Sequence, residues 1–451
     1  MIQADRIQRL NDAPIGGGRY VLYWMQASQR AGCNHALEFA IEQANELGLP
    51  LLACFGLTDD YPDANARHYH FLLHGLAETA AALADRGVQL LVRRGSPPEV
   101  ALELSGDAAA VVTDMGYLHH QRQWRRHLAR EAPSRVTRVE SDVVVPVRVA
   151  SDKEEYAART IRPKLHRAWG GYLVPLEARR LRRDSLEMEL DGADISQPDR
   201  LLDSLEVDRS VGASRFYPPG RSAGLSRLEA FVADQLGAYA GRRNDPSLRI
   251  QSDMSPYLHF GQVSPLEIAL RIRDAGDDEN TAAYLEELLV RRELSMNFAW
   301  FNERYDSWTS LPSWARATLR AHQSDKRGTV YTRRQLEQAD THDAYWNAAM
   351  REMTLTGKMH NYMRMYWGKK IIEWTRSPAT AYRWALAMNN RYFLDGRDPN
   401  SYAGVAWVFG KHDRPWQERE VFGTVRTMTA GGLQRKFDID AYVEWVDQLE
   451  E

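Results

Sequence analysis

Cysteine is scarce, with only Cys33 and Cys54 in 451 residues. That excludes a disulfide framework and a cysteine-built zinc site, so no metal centre is expected, and it suits a reducing compartment. An excess of either charge is missing too, with 58 basic and 61 acidic side chains and a formal net charge of −3. Global charge therefore advertises no nucleic-acid partner, and only local clustering can carry one. No early stretch joins a charged start, an apolar run and a small-residue cleavage site, and no apolar run approaches a membrane span. The expectation is an intracellular, membrane-free, monomeric protein, cytoplasmic or nucleoid-associated in a bacterium.

What is present begins with length, which allows two or three domains and a substantial core. Across the first 150 residues short apolar runs alternate with helical patterns. RYVLYWM (19–25), LPLLACFGL (49–57), VQLLVRRG (88–95), AAAVVTDM (108–115) and VTRVESDVVVP (136–146) read as strands. Helices are predicted over 35–48, 68–86 and 118–130. This is an α/β domain with a mainly parallel sheet covered on both faces, whose ligands are expected outside the carboxyl ends of the strands. Gly16, Gly17 and Gly18 precede the first strand, so they read as a flexible lead-in and not as a dinucleotide fingerprint. Asp114 and Met115 follow a strand, where a ligand contact and a plain turn with a helix cap both remain open.

Residues 151–215 form a connector. Eight basic side chains against Glu177 alone in 159–183 give way to nine acidic ones against Arg200 and Arg209 in 184–210. Compensating blocks favour a surface linker over a nucleic-acid arm. From residue 216 to the end the pattern is almost entirely helical. Most of the thirteen tryptophans fall after residue 295, which places aromatic chemistry or stacking there.

Four segments of that half carry unusual chemistry. In QSDMSPYLHFGQVSP, Ser252 and Ser255 precede a helix start and can serve a phosphate or act as ordinary caps. In YLEELLVRRELSMNFAWFN, Glu286, Glu287, Arg291, Arg292 and Glu293 suit i,i+4 pairs, unless one carboxylate turns inward. GKMHNYMRMYWGKKIIEW has an apolar helical face crowded by His360, Asn361, Arg364, Lys369 and Lys370, groups costly to bury unless paired. Trp367 and Trp374 lie two turns apart on nearly one side. LDGRDPNSYAGVAW holds Asp395 and Asp398 in a turn. Such a wall suits a large, planar, anionic ligand.

These segments together resemble the photolyase and cryptochrome family, specifically class II cyclobutane pyrimidine dimer photolyase, over nearly the whole chain. The resemblance implies an all-helical FAD domain after the α/β domain. It also implies light-driven splitting of the cyclobutane ring in ultraviolet-damaged DNA by an electron from excited, reduced FAD. Carried over by motif, the phosphate turn is Gln251, Ser252, Asp253, Met254 and Ser255, with Tyr239 near the same end. Asn361 and Arg364 line the flavin wall, Arg364 faces Asp395, and Asp398 also suits anchoring. Asn389 is the preferred group near flavin N5, with Asn400 as the alternative. Glu287 contacts the damaged bases, Trp407 and Met365 flank the lesion, and Glu286 is the surface member of its pair. Val290 replaces the tryptophan that other photolyases often carry, which favours the class II arrangement. An electron route is implied from Trp374 beside the flavin through Trp367 to Trp346 toward the surface. Arg242, Arg243, Lys411, Arg414, Arg435 and Lys436 are the DNA-contact candidates. The resemblance permits a second, antenna chromophore such as a deazaflavin, and leaves a cryptochrome-like photoreceptor or a (6-4) photoproduct enzyme as alternatives.

Overall fold

The computed structural model describes residues 2–449. Strands β1 (Ile7–Arg9), β2 (Tyr20–Trp24), β3 (Leu51–Leu57), β4 (Gln89–Arg94), β5 (Ala108–Asp114) and β6 (Arg135–Val139) form one sheet in the order β1-β6-β5-β2-β3-β4. Every pairing is parallel except that of β1 with β6. The runs of β2, β3 and β5, apolar up to Thr113 and Asp114 at the end of β5, are buried throughout. Helices α1 (His35–Leu47), α2 (Ala66–Ala84), α3 (Pro97–Ser105) and α4 (His119–Glu131) connect and cover these strands, as buried parallel strands require.

Four features depart from the sequence reading. β1 is too short to show a pattern, and α3 opens on Pro97 and Pro98, residues that suit a helix start but read as a loop signal. The valines of the last predicted strand leave the sheet after Val139. Arg6 donates to the carbonyls of Glu140 and Val143, both at 3.1 Å, while the Glu293 carboxylate accepts from the Val144 amide at 2.6 Å. Those valines are buried by docking between domains and not by strand pairing. The triple-glycine lead-in is also fixed: the Gly16 amide donates to the Ala109 carbonyl at 2.8 Å, and a Cβ on Gly18 would stand 2.2 Å from the Ala109 nitrogen.

Counting helices of six residues or more, the remainder comprises α5 (Ala158–Tyr172), α6 (Pro198–Asp203), α7 (Arg221–Asp234), α8 (Pro265–Ala275), α9 (Glu279–Leu285), α10 (Arg292–Phe301), α11 (Ser313–Ala321), α12 (Ala344–Thr356), α13 (Asn361–Trp374), α14 (Pro378–Tyr392), α15 (Pro399–Val408) and α16 (Ile439–Gln448). Between α5 and α6 the connector returns to the sheet. Ser185 Oγ donates to the Leu51 carbonyl at 2.6 Å, and the Ala193 amide donates to the Val92 carbonyl at 2.7 Å. This covers the edge strand β4, whose free backbone groups would otherwise invite another chain.

The order of the sheet reverses at β2, between β5 and β3. Beyond the carboxyl ends of these three strands lies a cavity lined by Gln26 and Ala27 after β2, Phe55 in β3 with Thr58 just after it, and Met115 and Tyr117 after β5. Asp114 does not reach into it. Its carboxylate accepts from the amides of Gln26, Ala27 and Ser28 at 2.7 to 2.9 Å, so it fixes the rim loop.

Candidate active site

The approach to α13 gathers the charged groups. Gly357 ends α12 in the left-handed region, at φ 82°, and a Cβ there would stand 2.8 Å from Leu394 Cγ. The following Lys358 is thereby turned toward residues 251–255. Its Nζ lies 2.8 Å from Asp253 Oδ1 and donates to Ser255 Oγ at 3.2 Å. Asp253, itself at φ 55°, also holds Arg227 at 3.1 Å. Tyr284 donates to Ser252 Oγ at 2.8 Å, Gln251 Nε2 donates to the Arg243 carbonyl at 2.7 Å, and Met254 is buried.

Inside the first turns of α13, Arg364 Nη2 donates to both oxygens of Asp395 at 2.7 and 3.0 Å. Its guanidinium also stands 3.7 Å from the Phe393 ring centroid. Burial opposes ionisation of Asp395, but Arg364, Lys358 and Ser255 outweigh it and hold the carboxyl below its ordinary range. Lys358 thus links the turn to the salt bridge. Nothing in its local pattern marked it beyond the Gly-Lys pair before a helix start.

Facing this wall, residues Glu286–Arg291 form a π turn between α9 and α10. Such turns admit one extra residue and recur at functional positions. Spacing of five replaces spacing of four: Glu286 Oε1 accepts from Arg291 Nε at 3.1 Å and pairs with Arg162 at 2.6 Å. Glu286 is therefore a partly buried bridge, not an idle surface carboxylate. Glu287 points elsewhere and pairs with Arg243 at 2.7 Å. Beside it, Tyr239 packs on Tyr284 at 5.3 Å between centroids, and burial followed by the Glu287 charge pushes its phenol up to about 12. Arg291 stands 5.4 Å over the ring of Trp407 on α15.

The three tryptophans are arranged differently from the expected order. Trp346 and Trp374 are in edge contact, 5.5 Å between centroids, and Trp346 Nε1 donates to the Trp367 carbonyl at 3.0 Å. Trp346, expected nearest the surface, is fully buried and lies between the other two. The physical reason is axial: seven residues align two side chains but separate them by about 10 Å along the helix, a gap that the neighbouring helix fills. Trp374 instead contacts Tyr331 and the exposed His342, at 5.2 and 5.4 Å. Trp374, itself buried, adjoins the surface only through His342, and Trp367 lies one turn from Arg364.

Comparison with known proteins places this arrangement. Residues 21–180 match the family described as DNA photolyase. The "Deoxyribodipyrimidine photo-lyase" of Methanothermobacter thermautotrophicus is 53% identical over 451 residues, covering 100% of this chain and 99% of that one. The chain belongs to the deoxyribodipyrimidine photo-lyase family. Its namesake from Potorous tridactylus is 38% identical, over 93% of this chain and 79% of its own. The photolyase fold recurs in a class III photolyase from Agrobacterium tumefaciens (TM-score 0.72, 18% identity, 96% of this chain and 87% of the other). A Synechocystis cryptochrome shares it as well (TM-score 0.75, 16% identity, 96% and 89%).

FAD is the cofactor this photolyase fold implies, and the residues present fit it. Lys358, Arg364 and the Ser252 and Ser255 hydroxyls supply cations and donors suited to a diphosphate and an anionic ring. Trp367 Nε1 is buried without a partner among the described residues. Asn361 is exposed at the head of α13 and Met365 is half-buried.

Other predicted members stand apart from this cluster. Asp398 caps α15 through the Asn400 amide at 2.8 Å, contacts His259 at 3.3 Å, and lines the sheet-end cavity. Asn400 Nδ2 is turned back onto Asp398 at 2.9 Å. Asn389 is buried and donates to Asn390 at 3.2 Å. Lys411 is a correction: it is buried, bonded to Glu154 and to the Ser310 carbonyl, and therefore unavailable to DNA. The local sequence does not mark this, because the partners come from residues 154 and 310, far away in sequence. Arg242, Arg414, Arg435 and Lys436 are exposed. Arg435 and Lys436 border a broad groove of about 820 Å³.

Proposed function

We propose that the protein is a light-dependent lyase that splits cyclobutane pyrimidine dimers in DNA, in the class II manner. The observation that carries this is the 53% identity running end to end with a photo-lyase. When bound, reduced FAD supplies the electron that light sends into the dimer and takes it back after the two carbon–carbon bonds break, with no net redox change. The chain's own part is positioning. Arg364 holds positive potential beside the flavin wall, neutralised on its far side by Asp395. Released by Arg243 and protonated, Glu287 donates a hydrogen bond to a pyrimidine carbonyl as negative charge develops there. Trp407, with Met365 nearby, packs on the extruded bases, whose damaged stacking lowers the cost of flipping. Trp367, Trp346 and Trp374 carry an electron inward from the surface to reduce oxidised cofactor.

DNA reaches this pocket over Arg242, Arg243, Arg414, Arg435 and Lys436, so affinity falls with salt while the lesion sets specificity. Residues 1–150, 151–215 and 216–451 serve as α/β domain, connector and repair domain. A second chromophore of the deazaflavin kind occupies the sheet-end cavity, a reading supported by its apolar walls at the reversal of strand order. The deciding experiment exposes an ultraviolet-damaged thymine oligonucleotide to reduced, FAD-loaded protein in light and in darkness. Thymine restored only in light supports the reading. A flavin that responds to light while dimers stay intact makes the protein a photoreceptor instead, and repair of (6-4) products alone would move it to that enzyme class.

A further inference from the structure

Away from the proposed repair site, α4 carries Arg122, Arg126 and Arg130 at intervals of four, a stripe of like charge that costs a helix stability. The stripe faces a cavity of about 370 Å³, into which Arg125, Arg138 on β6 and Arg148 also project, with Trp300 of α10 in the wall. Among the described residues no carboxylate lines it. Two of the six guanidiniums are neutralised nearby, Arg125 by Asp114 and Arg130 by Glu131. Among the described residues the other four have no ion pair: Arg122 donates to the Trp300 carbonyl at 3.0 Å and Arg138 to Gln8, while Arg126 and Arg148 have no hydrogen bond.

Arg122, Arg138 and Arg148 stand 4.5, 5.0 and 5.5 Å from the Trp300 ring, which holds them together despite their repulsion. Arg138 is itself buried. Burial pushes its pKa down to about 10, opposed by Glu140 and reinforced by Arg125 and Arg148. A solvated basic face would let such side chains spread apart. Here three separate elements bring them into one concavity, leaving a cluster whose repulsion only an anion relieves.

We infer that this pocket binds a small molecule bearing two or more phosphate groups, such as a nucleoside diphosphate. Four guanidiniums without an ion pair among the described residues, with only Glu140 near Arg138 and Glu303 near Arg122 acting from a distance, match the three to four negative charges of a diphosphate, and their planar forks grip phosphate oxygens in pairs. The concave shape selects a small anion over a duplex, whose phosphates lie on a convex surface.

Calorimetric titration of FAD-loaded protein with ADP, inorganic pyrophosphate and sulfate, at physiological salt, tests the inference. ADP and pyrophosphate are expected to bind at about one per chain and raise the melting temperature, with sulfate at least about ten-fold weaker. The double variant R126A/R148A removes two exposed groups without hydrogen bonds. It should lose at least about ten-fold in diphosphate affinity while keeping FAD content and light-driven repair. Removing the same charge elsewhere, in R200A/R320A, should leave binding intact. Equal loss in both double variants, or no saturable diphosphate binding in the wild type, overturns the inference. So does a loss of undamaged-duplex affinity in R126A/R148A without diphosphate binding, which would make the patch a DNA surface.

Discussion

The cavity at the end of the sheet and the charged wall along α13 are built by different means. Around the first, ionic groups are largely spent inside the protein: Asp114 on the rim amides, and Asp398 on a helix cap and His259. What remains is a mainly apolar recess, with Arg292 and Arg397 in its wall, shaped by strand order. Along α13 the charges stay in play, because Lys358 and Arg364 hold their carboxylates beside hydroxyls and an unpartnered indole N–H. Topology makes a container and side chains make a reagent. The second can be broken by one substitution, whereas the first has to be filled.

The largest effect is therefore expected from Arg364→Ala. It strips the buried Asp395 carboxylate of its direct cation and leaves only Lys358 and Ser255 to offset burial, a loss of roughly 3 kcal/mol. FAD per chain after denaturation and the urea midpoint should both drop. A variant that keeps one FAD and wild-type stability would take the salt bridge out of the cofactor site. Next comes Trp346→Phe, which cuts the middle of the indole series. Photoreduction of oxidised flavin, followed by transient absorption, should slow at least about ten-fold, some 1.4 kcal/mol of barrier. Protein reduced chemically beforehand should still repair. Full-speed photoreduction in W346F would return the route to Trp374 and Trp367 alone.

Glu287→Gln should lower single-turnover repair by about three- to ten-fold with lesion affinity changed about two-fold or less, since its contact matters most as charge develops. Unchanged yield and affinity would shift the role to another pocket group. A pH-dependent effect belongs to Lys369, buried with its Nζ donating to the Val408 carbonyl. Burial pulls its pKa down from 10.5 to about 7. Its contribution to stability is whole above the unfolded value and is lost as pH falls toward 7, because the unfolded chain takes up the proton first. The stability advantage of Lys369→Met should grow as pH drops from 10 to 7, by up to about 1 kcal/mol per unit. A constant gap in urea melts would show that Lys369 stays charged. The smallest effect on repair is expected from Leu72→Trp, which intrudes on the sheet-end cavity. Repair under light absorbed directly by FAD should persist while any second chromophore disappears from extracts. Loss of both would join the two regions functionally.

Much of the first domain was legible because buried parallel strands write themselves as apolar runs, and the limits of β2, β3 and β5 differ from the reading by a residue or two. VTRVESDVVVP misled because valine buried by Arg6 and Glu293 looks the same in sequence as valine buried by pairing. In the site, Arg364 with Asp395 was legible from motifs. Lys358 was passed over because its partners, Asp253 and Ser255, come from a turn about a hundred residues earlier. The tryptophan order failed since helical spacing reports direction and not the neighbour that fills an axial gap.

The π turn at Glu286–Arg291 sets the site's tolerance to change in length rather than in composition. A helix that carries one surplus residue can lose it and become regular, so the local backbone would gain from a deletion that the pocket could not survive. Removing any single residue of that stretch would advance everything before it by about 100° around the axis, taking Glu287 off Arg243 while leaving every side chain of the motif almost unchanged in identity. Between homologues, then, a gap of one in this stretch should separate chains that repair from chains that merely keep the fold.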